Sequence, residues 1–89
     1  CGYKNDATAE FTWSRHKGAT SSSSTGATND HTYGTGIGYY MYIETSLPRQ
    51  PNDKARLITS QYEAVAGGSC LQFFYHMWGV DTGALNVYL

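Results

Sequence analysis

The apolar positions of the chain recur every second residue in several short runs. In Tyr39 to Glu44, Tyr40, Tyr42 and Glu44 fall on one face while Tyr39, Met41 and Ile43 fall on the other. That period predicts a strand over 39–45 with one face in a core. From Cys70, the stretch CLQFFYHMW sets Leu71, Phe73, Tyr75 and Met77 against Gln72, Phe74, His76 and Trp78. Both faces are bulky, so the pattern predicts a strand over 70–78 inside a two-layer sandwich, its second face partly covered by a loop or neighbour. Leu85, Val87 and Leu89 alternate with Asn86 and Tyr88, predicting a further half-buried strand over 84–89. KARLIT, residues 54–59, is strand-like but less regular.

The separators are as informative as the runs. Leu47 to Asp53 holds both prolines and an Asn-Asp pair, Ala66-Gly67-Gly68-Ser69 breaks the chain again, and Val80-Asp81-Thr82-Gly83 reads as a turn. Residues 18–36 are almost all small or polar, with four consecutive serines and no period, and predict a long surface loop. No segment has a helical period, so the expected class is an all-β, antiparallel sandwich. Few strands can be counted for such a fold, and the expectation is that the chain is an incomplete portion of a larger domain.

Composition narrows the function classes. A chain of 89 residues is one domain, burying about two-thirds of the surface its unfolded form exposes. Net charge is −1 with 15% charged residues, which excludes the broad positive field that nucleic acid or an anionic bilayer requires. The longest apolar runs are far shorter than the roughly 20 residues of a membrane span. The chain opens on Cys1-Gly2 without methionine or an apolar leader, and the expectation is a processed or excised piece. Cys1 and Cys70 have no C-x-x-C spacing, leaving disulfides or inert thiols; a bond between them would contribute about 4 kcal/mol in the chain-entropy model.

The candidate chemistry is weighed residue by residue. Ser21 to Ser24 share a loop with Asp30 and His31, but no G-x-S-x-G elbow sets up a strained serine nucleophile. Gly34-x-Gly36-x-Gly38 lacks phosphate-loop spacing and precedes a strand, so it reads as a flexible lead-in. His16, His31 and His76 are not spaced as ligands on one element, and a packing role is expected of them. Asp30 admits two readings: with Asp6 and Glu10 it suits calcium or another hard cation if the two loops meet, or it caps a turn through neighbouring backbone. The eight tyrosines either cover sheet faces or, near Tyr39, Tyr40 and Tyr42 and at Trp78, form an aromatic patch for a protein partner. No N-x-[ST] sequon occurs.

Three segments together carry a resemblance. They are Cys1-Gly2-Tyr3 leading to Phe11-Thr12-Trp13-Ser14-Arg15; Thr25-Gly26, Asp30-His31-Thr32 and Gly38 to Glu44; and Lys54 to Leu57 followed by Cys70 to Gly79 and Leu85 to Leu89. In order and spacing these resemble the MAM domain, the module named after meprin, the neuropilin antigen and receptor protein-tyrosine phosphatase mu. The resemblance covers essentially the whole chain and matches the first portion of the family domain. It implies a jelly-roll-like β-sandwich outside cells, non-catalytic, contacting proteins (other ectodomains or its own kind) in adhesion or multidomain assembly. The alternative it leaves is an accessory domain of a secreted or membrane-bound enzyme such as a metalloprotease, with the chemistry elsewhere. It also implies that Cys1 and Cys70 pair with cysteines outside these residues, one upstream and one downstream. Cation binding by acidic residues in regions corresponding to Asp6, Glu10 and Asp30 is implied for some members.

Overall fold

A computed structural model describes residues 2–89, and Cys1 with its expected disulfide lies outside the described residues. The all-β expectation holds: the described residues contain antiparallel strands and no helix. Strand β1 spans Lys4–Asn5, β2 Ser14–Lys17, β3 Tyr39–Tyr42 and β4 Leu57–Ile58.

Two ribbons result. In the first, β2 pairs antiparallel with β3, Ser14 opposite Tyr42 through Lys17 opposite Tyr39. The alternation read at β3 is realised here: Tyr39 and Met41 are exposed, whereas Tyr40 and Tyr42 are half-buried beside His16 from β2. His16 meets Tyr42 with ring centroids 5.1 Å apart and meets Tyr40 edge-on at 5.8 Å, geometries that aromatic quadrupoles favour. The polar sequence of β2, SRHK, is held by this pairing, since it has no apolar stripe of its own.

In the second ribbon, β1 pairs antiparallel with β4, Lys4 opposite Ile58 and Asn5 opposite Leu57. Backbone bonds extend it: Asp6 N donates to Arg56 O at 3.0 Å, and the amides of Glu10 and Phe11 both reach Lys54 O. The two ribbons are joined through the side chains of Asn5 and Trp13. Asn5 Nδ2 donates to Trp13 O at 3.0 Å, and Trp13 N donates to Asn5 Oδ1 at 2.8 Å. Trp13 Nε1 then donates to Ala55 O at 3.1 Å, so the residue leading into β2 grips the strand region of the other ribbon.

Residues 18–36 form turns and bends, pulled together by Tyr40, whose hydroxyl donates to Gly18 O with Ala27 O as an alternative acceptor 3.2 Å away. Burial raises the Tyr40 phenol above its ordinary value, with the neighbouring Tyr42 adding to the effect. Residues 47–53 turn through Arg49 N to Ser46 O and Asp53 N to Gln50 O, with Leu47-Pro48 cis. The Gly67-Gly68 break is made at φ +85° and +84°, values only glycine adopts without strain.

Among the described residues the buried apolar side chain is Phe11, 9% exposed, with the Arg49 guanidinium 4.6 Å over its ring. Residues 59–89 are exposed throughout, and they carry no hydrogen-bonded strand. The strands read over 70–78 and 84–89 thus differ from what is observed, because an alternating segment becomes a ladder only when a partner backbone lies alongside, and none does among the described residues. The read strand over 54–59 has its ladder at Leu57–Ile58. The radius of gyration, 14.6 Å, exceeds the roughly 12 Å of a closely packed domain this long, in keeping with so little burial.

Candidate interaction surface

Among the described residues Asp30 is the buried polar side chain, at 8% exposure. It starts the turn 30–34: its Oδ2 accepts from Tyr33 N at 2.9 Å, and its carbonyl accepts from Gly34 N at 3.2 Å. Capping, one of the two readings left open above, is therefore a contact it makes. The carboxylate is seated where Gly38 has no side chain; a Cβ at Gly38 would overlap it. This is a specific use of the third glycine of the lead-in. Asp30 Oδ1 is buried and meets no hydrogen-bond partner among the described residues.

Asp6 and Glu10 are placed differently. Asp6 Oδ1 accepts from Thr8 N at 2.8 Å and from Thr8 Oγ1 at 2.6 Å, while Oδ2 lies 3.5 Å from the Arg56 guanidinium. The Thr8 bonds, then Arg56, hold the Asp6 carboxyl below its ordinary value. Glu10 Oε2 accepts from Lys54 N at 2.8 Å, and that bond holds its carboxyl low as well. Both acids thus bind the N-terminal segment to residues 54–56. Among the described residues no group of three His, Cys, Asp or Glu side chains is gathered that would hold a metal ion.

The other polar residues of the long loop face separate partners. Ser22 Oγ donates to Glu44 Oε2, tying the serine run to the end of β3 and holding the Glu44 carboxyl below its ordinary value. His31 stacks on Phe74, ring planes 8° apart and centroids at 3.4 Å. Ser22, Asp30 and His31 therefore do not form a hydrogen-bonded relay among the described residues.

The His31 stack is one of two clamps on the segment read over 70–78. The second is His76 Nε2, 2.9 Å from Thr25 O. Phe74 and His76 make these two contacts, yet both alternating sets of side chains stay exposed, Phe74 at 62% in one and Met77 at 40% in the other. Phe73 is 48% exposed and Trp78, beyond the clamps, 70%; Leu71, Tyr75, Val80 and Tyr88 are exposed too. Phe73 and Tyr75 face each other at 6.5 Å. Isolated exposed apolar side chains are ordinary, but a sequence-contiguous strip of them marks a surface that another surface covers. Cys70, at the head of the strip, is exposed and makes no disulfide among the described residues. A cleft of about 380 Å³ beside Phe11, walled by Arg49, Pro51, Val80 and Thr82, places the 80–83 turn against the 47–53 turn.

Three features escaped sequence reasoning: the Asn5–Trp13 amide pair, the fit of Asp30 against Gly38, and the cation-aromatic cluster on the outer face of β2 and β3. In that cluster the Arg15 guanidinium lies 3.5 Å from the Tyr39 ring centroid and Lys17 Nζ 5.5 Å from it. The last had a visible signal, cations at alternate positions 15 and 17, which only the register with β3 makes meaningful.

Comparison with known proteins agrees with this frame. The family model described as MAM domain, meprin/A5/mu, matches residues 1–89. The chain is 46% identical over 91 residues to MAM domain-containing glycosylphosphatidylinositol anchor protein 1 of Homo sapiens, covering 98% of this chain and 9% of that protein. It is 46% identical over 89 residues to MAM domain-containing protein 2 of Homo sapiens and to Thyroid hormone-induced protein B of Xenopus laevis, in each case covering 100% of this chain and 12% of the relative. The chain thus spans about a tenth of the length of the curated relatives it matches. No solved structure matches it.

Proposed function

Because the chain belongs to the MAM domain family, we propose that it is a non-catalytic extracellular interaction module, acting through protein contacts in adhesion or multidomain assembly. The observation that carries this reading is the exposed apolar and aromatic strip of residues 71–78, tethered to the long loop through His31 and Thr25 and leaving Leu71, Phe73, Phe74, Tyr75 and Trp78 open to a partner. A cell-surface setting is supported by the relative named as a glycosylphosphatidylinositol anchor protein. The test is bead aggregation with the parent ectodomain, with and without residues 1–89. Loss of association on deletion supports the reading. Unchanged association together with loss of an enzymatic activity of the parent would favour an accessory domain of a secreted enzyme instead.

A second reading rests on Asp30 alone. Its unpartnered, buried Oδ1 has the chemistry a hard cation takes. Asp6 and Glu10 are committed to Thr8, Arg56 and Lys54, and they do not complete the set with Asp30 here. Calcium should raise the melting temperature, and Asp30→Asn should remove that effect; a melting temperature that calcium leaves unchanged sinks this reading.

A further inference from the structure

We propose that the outer face and free edge of β2 form a docking site for an extended acidic peptide segment with carboxylates at alternate positions. Arg15 and Lys17 lie two residues apart on one strand, so both project from the same face with roughly 7 Å between them. Both are exposed. In register across the ribbon, Lys17 is opposite Tyr39 and Arg15 opposite Met41, and both cations lean on the Tyr39 ring. The ring holds the charged groups in place without neutralising them, as a carboxylate would. Among the described residues the ion pair is Arg56 with Asp6, and neither Arg15 nor Lys17 has an acidic partner.

The edge is as open as the face. Strand β2 pairs with β3 on one side, and no backbone hydrogen bond from outside that ladder reaches residues 14–17 among the described residues. An edge of this kind accepts an added strand, main-chain bonds supplying affinity and alternate side chains supplying specificity. On an added strand, every second side chain falls on the Arg15 and Lys17 face, with Cβ atoms about 5 Å from theirs. Carboxylates at those positions complete two charge-assisted pairs beside an aromatic ring. A sulfated polysaccharide is the weaker match, because its affinity grows with many cations spread over a field, whereas the chain has net charge −1. The proposal goes beyond the module reading, since it assigns a partner chemistry to a face which that reading does not use.

The probe is a blocked eight-residue peptide of alternating glutamate and threonine, titrated into the chain at low salt. The control is a peptide of the same composition with its glutamates consecutive. The alternating peptide should bind, the control at least about 5-fold more weakly, and salt should weaken both. Lys17→Ala, which removes an exposed charge, should weaken binding about 3-fold. The double reversal Arg15→Glu with Lys17→Glu should abolish it and confer binding of the alternating lysine–threonine peptide. Equal affinity for both glutamate peptides, indifference to Lys17→Ala, absence of binding, or capture of a sulfated oligosaccharide in preference to the peptide each overturns the proposal.

Discussion

Residues 2–58 and residues 59–89 are governed by different rules, although the second stretch has the longer apolar runs. In the first, a polar SRHK strand and a two-residue KN strand are ordered, because backbone and amide groups find partners across the chain. In the second, CLQFFYHMW is rich in large apolar side chains, yet its backbone has no ladder and both its faces stay exposed. Periodicity states which face a segment would bury. Whether it becomes a strand depends on the partner, since pairing is what satisfies its amides.

The largest effect should come from breaking the first region at its buried ring. Phe11→Ala removes the buried apolar side chain and the seat of the Arg49 guanidinium, and should cost about 3 kcal/mol in denaturant unfolding. Phe73→Ala, the same type of truncation in the second region, should change stability by less than about 0.5 kcal/mol. Equal losses at the two positions would erase the distinction.

Gly38→Ala comes next. A methyl group at that position overlaps the Asp30 carboxylate, and displacing a buried carboxylate from its turn should cost about 2 kcal/mol. An unchanged melting temperature would show that Asp30 is not seated there.

A smaller, graded effect follows from acid. The Asp6, Glu10 and Glu44 carboxyls are each held below their ordinary values by hydrogen bonds made in the folded chain. Their contribution is complete above about pH 5 and is lost as pH falls through their lowered native values, because only the ionised forms keep those bonds at full strength. Tryptophan fluorescence followed by acid titration should therefore register loosening first where these acids act, at residues 54–56 and at the Ser22 tie. Glu44→Gln should make the Ser22 loop's response to pH flatter. Loss of structure on raising the pH from 4 to 6 would have the wrong sign.

Much of this arrangement is legible before any coordinates. The YYMY alternation marks β3 and its outward Tyr39 and Met41, and the Pro-rich turn and the small-residue loop mark themselves by local chemistry. The resemblance carried by Trp13-Ser14-Arg15, Asp30-His31-Thr32 and the 70–79 segment identifies the family. What the pattern does not disclose is long-range. Strand β2 has no apolar alternation, and its order comes from Tyr40 and Tyr42 more than twenty positions away. The cap made by Asp30 is a local contact that sequence can anticipate, but its dependence on a bare Cα at Gly38 is a fact of packing. Asp6, Glu10 and Asp30 look equivalent as acids in the sequence, and only their neighbours separate two backbone ties from a buried carboxylate.

Amide hydrogen exchange on the chain tests the central contrast most directly. Slow exchange should be confined to the ladder amides of β2 and β3 and to the amides bonded between residues 4–13 and 54–58, with fast exchange throughout 70–89. Protection across 70–78 as strong as that in β2 would contradict the account.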